Sequence, residues 1–139
     1  MPTRLMDYFN KQPRIGVLST ASRSGKVDAA VFGSPQMVDE KTIVVALGEN
    51  RTFEYLQENP NAVFLIVEQG ETITDWKGIR VYMKMKEYSA SGEMLETYKS
   101  EITRVLGEEA AAMIHAVVRF EIDEVRPLVD IGQDWESSI

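Results

Sequence analysis

The chain has 139 residues, 44% of them hydrophobic, enough for one domain around a single buried core. Its formal net charge of −7 opposes nucleic acid and anionic membranes as partners, so any anion it binds must be met by a local cation. No cysteine and one histidine exclude disulfides, iron–sulfur clusters, thiolate zinc sites and multi-histidine metal sites, and the absence of a signal-like or membrane-length apolar stretch points to the cytoplasm.

In chain order, "TRLMDYFNKQ" places Leu5, Met6 and Phe9 on one face, which predicts a short helix ended by Pro13. "RIGVLSTASRSGKVDAAVFGSPQM" predicts two extended stretches joined by a hairpin turn at "SRSGK". "VDEK" reverses the chain into a third strand, "TIVVALG", which reads as a meander. In "NRTFEYLQENP", Asn50 caps a helix, Phe53 and Leu56 share a face, and Pro60 ends it. "NAVFLIVEQ" is a continuous apolar run, expected to be a central strand buried on both faces.

"GIRVYMKMKEYSAS" alternates Ile79, Val81, Met83 and Met85 with Arg80, Tyr82, Lys84 and Lys86, a strand with one core face. Leu95, Tyr98, Ile102 and Leu106 recur at helical spacing until Gly107. A last strand, "AVVRFEIDEVRPL", precedes a polar tail over about residues 129–139. The chain is therefore expected to be a single domain, mainly β with peripheral helices, its six strands forming a small antiparallel barrel.

The junction from Leu47 to Phe53 has three features of a phosphate site: Gly48 for close backbone approach, a helix amino end, and Arg51 and Thr52 on the first turn. The plainer alternative is that Asn50 only caps the helix and Arg51 is a solvated cation. The segment is not a Walker A loop, lacking the second Gly and the Lys-Ser/Thr pair. His115 has no partner in sequence and reads as structural, although it is the one imidazole available as a base or haem ligand. Met83 and Met85 read as core, whereas Trp76 and Trp135 lie in polar contexts where an aromatic needs something to pack on.

Taken together, "RIGVLSTASRSGKVDAAVFG", "TIVVALGENRTFEYLQENPNAVFLIVE" and "DWKGIRVYMKMKEYSASGE" resemble the pyridoxamine 5'-phosphate oxidase-like family of FMN-binding split barrels, in particular its small bacterial FMN-binding proteins. The likeness spans residues 5 to about 125 and lies in the order and spacing of elements. It implies a six-stranded split barrel with FMN as cofactor. The flavin phosphate would lie at the helix after the third strand, where Asn50, Arg51 and Thr52 stand. The ring would lie against Asp28, Ala29, Ala30 and Val31 and against Val45, Ala46, Leu47 and Gly48, mostly through backbone groups. The resemblance also implies homodimers with two flavins at the interface. In such a dimer the polar tail can reach the neighbouring subunit, where Trp135 would pack near the partner's flavin; the alternative is a disordered tail with an idle Trp.

The chain departs from true pyridoxamine-phosphate oxidases, which carry an Arg-x-His pair near the last strands; here Met113 stands two residues before His115. Vitamin B6 oxidation is therefore not expected. The resemblance implies a flavin-dependent oxidoreductase or electron-transfer protein with a small-molecule or protein redox partner. The alternative is a non-catalytic split-barrel module that binds a ligand or partner without flavin.

Overall fold

The protein is described here by a computed structural model covering residues 3–139. Seven antiparallel strands form one sheet: β1 (Ile15–Ala21), β2 (Val27–Val31), β3 (Gln36–Met37), β4 (Thr42–Leu47), β5 (Asn61–Glu68), β6 (Lys77–Ser89) and β7 (Ala116–Pro127). Their order across the sheet is β2-β1-β5-β6-β7-β4-β3. Among the described residues four helices accompany them: α1 (Arg4–Asn10), α2 (Arg51–Glu58), α3 (Glu93–Leu106) and α4 (Glu108–Ala112). Short 3₁₀ turns occupy Ile73–Asp75 and Trp135–Ser138.

The expected six strands become seven because the stretch after the first hairpin divides. Its first half is β2, paired to β1 with Gly25 at φ +89° in the turn. Gly33, Ser34 and Pro35 then interrupt the ladder, Pro35 having no N–H to donate. Gln36 and Met37 form a separate two-residue strand on β4, held by Asn10, whose side chain bonds both the carbonyl (2.9 Å) and the N–H (2.8 Å) of Met37. For the same reason the meander is not continuous: β4 lies between β3 and β7, and β2 is left at the sheet edge.

The inward faces meet in one core, in which Phe9, Leu18, Ile43, Val45, Phe64, Ile79, Val81, Val118 and Phe120 are fully buried. Arg14 closes one end of it. Its guanidinium lies over the rings of Phe9 and Phe64 (5.1 and 5.2 Å) and donates to the carbonyls of Phe9, Gly33 and Pro35, and burial pulls its pKa down. The strand β5 is interior to the sheet, as its composition implies, but only one face is in the core. Ala62, Phe64 and Ile66 are buried while Val63, Leu65 and Val67 stay half-exposed on the outer face. On the far side, Leu95 of α3, Ile114 and Val117 form a second small cluster with Val44 and Ala46.

Candidate functional site

The helix α2 begins where the strand β4 runs out. Asn50 is its cap: the side-chain oxygen accepts from the N–H of Phe53 at 3.0 Å, and the Asn50 carbonyl accepts from Glu54. The cap leaves the N–H groups of Arg51 and Thr52 without an intrahelical acceptor, aligned with the positive end of the helix dipole. The Arg51 side chain is exposed and forms no ion pair among the described residues. Thr52 is turned the other way. Successive helical residues lie about 100° apart, so with Arg51 outside, Thr52 points inward and is only 2% exposed. Its hydroxyl is therefore turned away from the helix mouth, and Thr52 does not line the cleft there.

A cleft of about 620 Å³ opens over this helix end, lined by Glu49, Asn50, Arg51, Phe53, Glu54, Gln57, Tyr88, Ala90 and His115. Strand register brings in the distant members. Leu47 pairs with Ala116, which sets His115 beside the end of β4, and the His115 N–H donates to the Leu47 carbonyl at 2.7 Å. Phe53 supports both rings edge-on, with centroids 5.4 Å from His115 and 5.2 Å from Tyr88. Gly48 sits tightly here: a Cβ would come within 3.1 Å of the Met113 carbonyl. His115 and Tyr88 are thus lining residues that neither spacing nor composition singles out for this cleft. The signal that finds them is the β4–β7 and β6–β7 pairing.

The other expected contact residues are placed as follows. Val45 and Leu47 point into the core, 0% and 1% exposed, and Ala46 faces the α3 cluster, so this segment offers a ligand only backbone. One of those backbone groups is already used, since Ser34 Oγ donates to the Ala46 carbonyl at 3.0 Å. On β2, Ala29 and Val31 are exposed and Ala30 is half-buried. As an edge strand paired only to β1, β2 keeps one line of N–H and C=O groups free. None of these β2 and β4 residues lines the cleft at Arg51, but small side chains beside free backbone donors and acceptors would suit a flat heterocycle along this edge.

Trp135 does not join this cleft within one chain. The last segment folds back on its own barrel: Trp135 and Ile139 pack against the main core, Leu128 N–H reaches Gly78 O (3.1 Å) and Ser138 Oγ (3.3 Å), and Arg4 donates to the Glu136 carbonyl. That is the Gly78 end of β6. The cleft is at its Tyr88 end, roughly 30 Å along the strand at about 3.3 Å per residue.

No family model matches the chain, and no curated protein matches it. Solved structures do. An FMN-binding protein from Syntrophomonas wolfei subsp. wolfei is 23% identical with a TM-score of 0.71, over 92% of this chain and 84% of that one. A putative pyridoxamine 5'-phosphate oxidase from Lactobacillus delbrueckii is 15% identical with a TM-score of 0.64, over 88% and 91%. HutZ, the haem storage protein of Vibrio cholerae, is 12% identical with a TM-score of 0.64, over 89% and 92%. The chain therefore has the split-barrel fold of pyridoxamine 5'-phosphate oxidase-like proteins, a fold that holds flavin in one of these neighbours and haem in another. No helix among the described residues is long and apolar enough to cross a membrane.

Proposed function

We propose that this chain is an FMN-binding split-barrel protein of the cytoplasm, acting as a flavin-dependent oxidoreductase or electron carrier. The observation that carries the reading is Arg51: an exposed cation with no ion pair among the described residues, on the first turn of a helix whose first N–H groups have no intrahelical acceptor, lining an open cleft. In an acidic chain such a group acts at contact range, where screening is weakest. FMN would supply the redox chemistry of the site. The chain's own part is to hold the phosphate with Arg51 and the first turn of α2, and to orient the ring with the free edge of β2.

The outer face of β2, β1 and β5 supports a homodimer. Val31, Val17 and Leu65 lie side by side across the three strands, as do Val27 and Ala21, with Val27 and Val31 81% and 74% exposed. A second copy would cover this apolar surface and enclose a flavin that one small barrel leaves open. Sedimentation at low micromolar concentration should give two chains, and a monomer that holds FMN tightly would contradict the pairing.

Titration of FMN and riboflavin into wild type and Arg51→Ala tests the cofactor reading. Loss of the charge-assisted bond should weaken FMN by about 1.5–3 kcal/mol and leave riboflavin unchanged. Equal losses for the two ligands would remove the phosphate from Arg51. A colourless purified protein that takes up neither ligand would favour the non-catalytic module.

A further inference from the structure

We propose that the phosphate cleft binds FMN together with a proton, held by His115; this rests on the flavin reading above. The argument is one of charge. The cleft brings a single fixed cation, Arg51, together with two carboxylates, Glu49 and Glu54. A helix amino end adds roughly half a positive charge. A phosphomonoester arrives with about −1.5 to −2 at neutral pH. By this count the wall does not balance the charge of a phosphomonoester, and a further positive charge appearing on binding would improve the match.

His115 is the side chain that can supply it. The remaining lining residues, Asn50, Phe53, Gln57, Tyr88 and Ala90, carry no side chain that becomes a cation. An imidazole takes up a proton near neutrality, before an exposed carboxylate does. The ring is fixed for the task, half-exposed at the start of β7, with its backbone N–H bonded to Leu47 and its edge against Phe53.

The other charged groups of the surrounding elements, Lys86 of β6 included, are outside the cleft lining. On β6, Glu87 is paired with Arg119 of β7 at 2.9 Å. On α4, Glu108 and Glu109 are exposed and outside the cleft lining. On the β4–α2 junction and α2 itself, the facing charges are Glu49, Arg51 and Glu54, already counted.

Calorimetry of the flavin-free protein at pH 7, in two phosphate-free buffers of different ionisation enthalpy, counts the protons taken up on binding. FMN should take up about half a proton or more and riboflavin none. His115→Gln should weaken FMN about tenfold relative to riboflavin at the same pH. His115→Lys, which carries its charge permanently, should keep the preference for FMN while taking up far less. If His115→Gln keeps the wild-type ratio of FMN to riboflavin affinity, or if wild type takes up no proton, His115 has no part in phosphate binding. The two readings fail separately. An unchanged ratio in Arg51→Ala removes the phosphate from the cleft altogether, whereas a lowered ratio in Arg51→Ala with an unchanged one in His115→Gln overturns only the proton-coupled role.

Discussion

The two ends of the β6–β7 ladder are finished differently. At the Gly78 end the chain closes on itself: the tail bonds back to Gly78, and Trp135 covers the core. There Asp130 also meets Arg80 (3.3 Å) and Arg126 (2.7 Å), and α1 is tied to the end of β5 through Tyr8 and Glu68. At the Tyr88 end, among the described residues, Arg51 forms no ion pair and the first N–H groups of α2 have no acceptor, and a cleft stands open. Polar groups at the first end have partners within the chain, so changes there should appear as lost stability. At the second end Arg51 and the first N–H groups of α2 have no such partner among the described residues, so under the proposed function changes there should appear as lost binding.

The largest expected effect breaks the closed end. Gly78 sits at φ +149°, and a Cβ there would lie 2.0 Å from the Ile66 carbonyl oxygen on the paired strand. That atom is backbone and cannot step aside, so Gly78→Ala should cost about 3 kcal/mol or more in denaturant unfolding. A midpoint unchanged from wild type would mean that β5 and β6 approach less closely than the ladder implies.

Trp135→Ala should cost about 2–3 kcal/mol, because a large ring leaves the core it covers. Truncation after Leu128 should do at least as much damage and leave the relative affinity for FMN and riboflavin intact. If the tail also shields a flavin of the neighbouring subunit, truncation would in addition raise flavin fluorescence and speed its oxidation by dioxygen. Unchanged fluorescence in a truncated protein that is dimeric and flavin-loaded would confine Trp135 to its own core.

Arg51→Ala is the counterpart at the open end. Its weakening of FMN, roughly tenfold to a hundredfold, should come with less than about 0.5 kcal/mol of change in unfolding free energy without ligand. A clear loss of stability would mean that Arg51 is bonded within the chain, and the contrast between the ends would fail.

Much of the closed framework was readable beforehand, and the open end only in part. Alternation along residues 79–86 gave β6, and Asn50 with Pro60 bounded α2, because periodicity and capping are local properties. The two-residue β3 was not readable, since it exists through Asn10, 27 positions away. Arg51 and Thr52 read as a pair, yet the helical turn between them sends one outward and the other into the core. The place of His115 depends on which residue of β7 lies opposite Leu47, a register that tertiary packing decides. The apolar run of β5 predicts burial on both faces, whereas its outer face is half-exposed and is the surface proposed for the second subunit.

The smallest effect sharpens the comparison by pH. Tyr8 Oη donates to Glu68 Oε2, and Lys11 Nζ lies 3.3 Å from Glu68 Oε1. The bond from Tyr8 is the main reason the Glu68 carboxyl sits below its ordinary value of 4.5, with Lys11 adding to it. Burial first, and then the same bond, push the Tyr8 phenol well above its ordinary 10.0. A carboxyl with a depressed folded pKa contributes stability above its unfolded pKa and loses it as pH falls through the folded one. A phenol with a raised folded pKa contributes below its unfolded pKa and loses it as pH rises through the folded one. The pair should therefore act fully from about pH 5 to 9. In that window Glu68→Gln should cost less than about 1 kcal/mol, because the groups are partly solvated and screened. The difference from wild type in urea unfolding should shrink as pH is lowered from 7 towards 3, as Glu68 takes up a proton and comes to resemble Gln. A difference that stays constant across that range would show that Tyr8 holds α1 to β5 through shape alone, without the charge of Glu68.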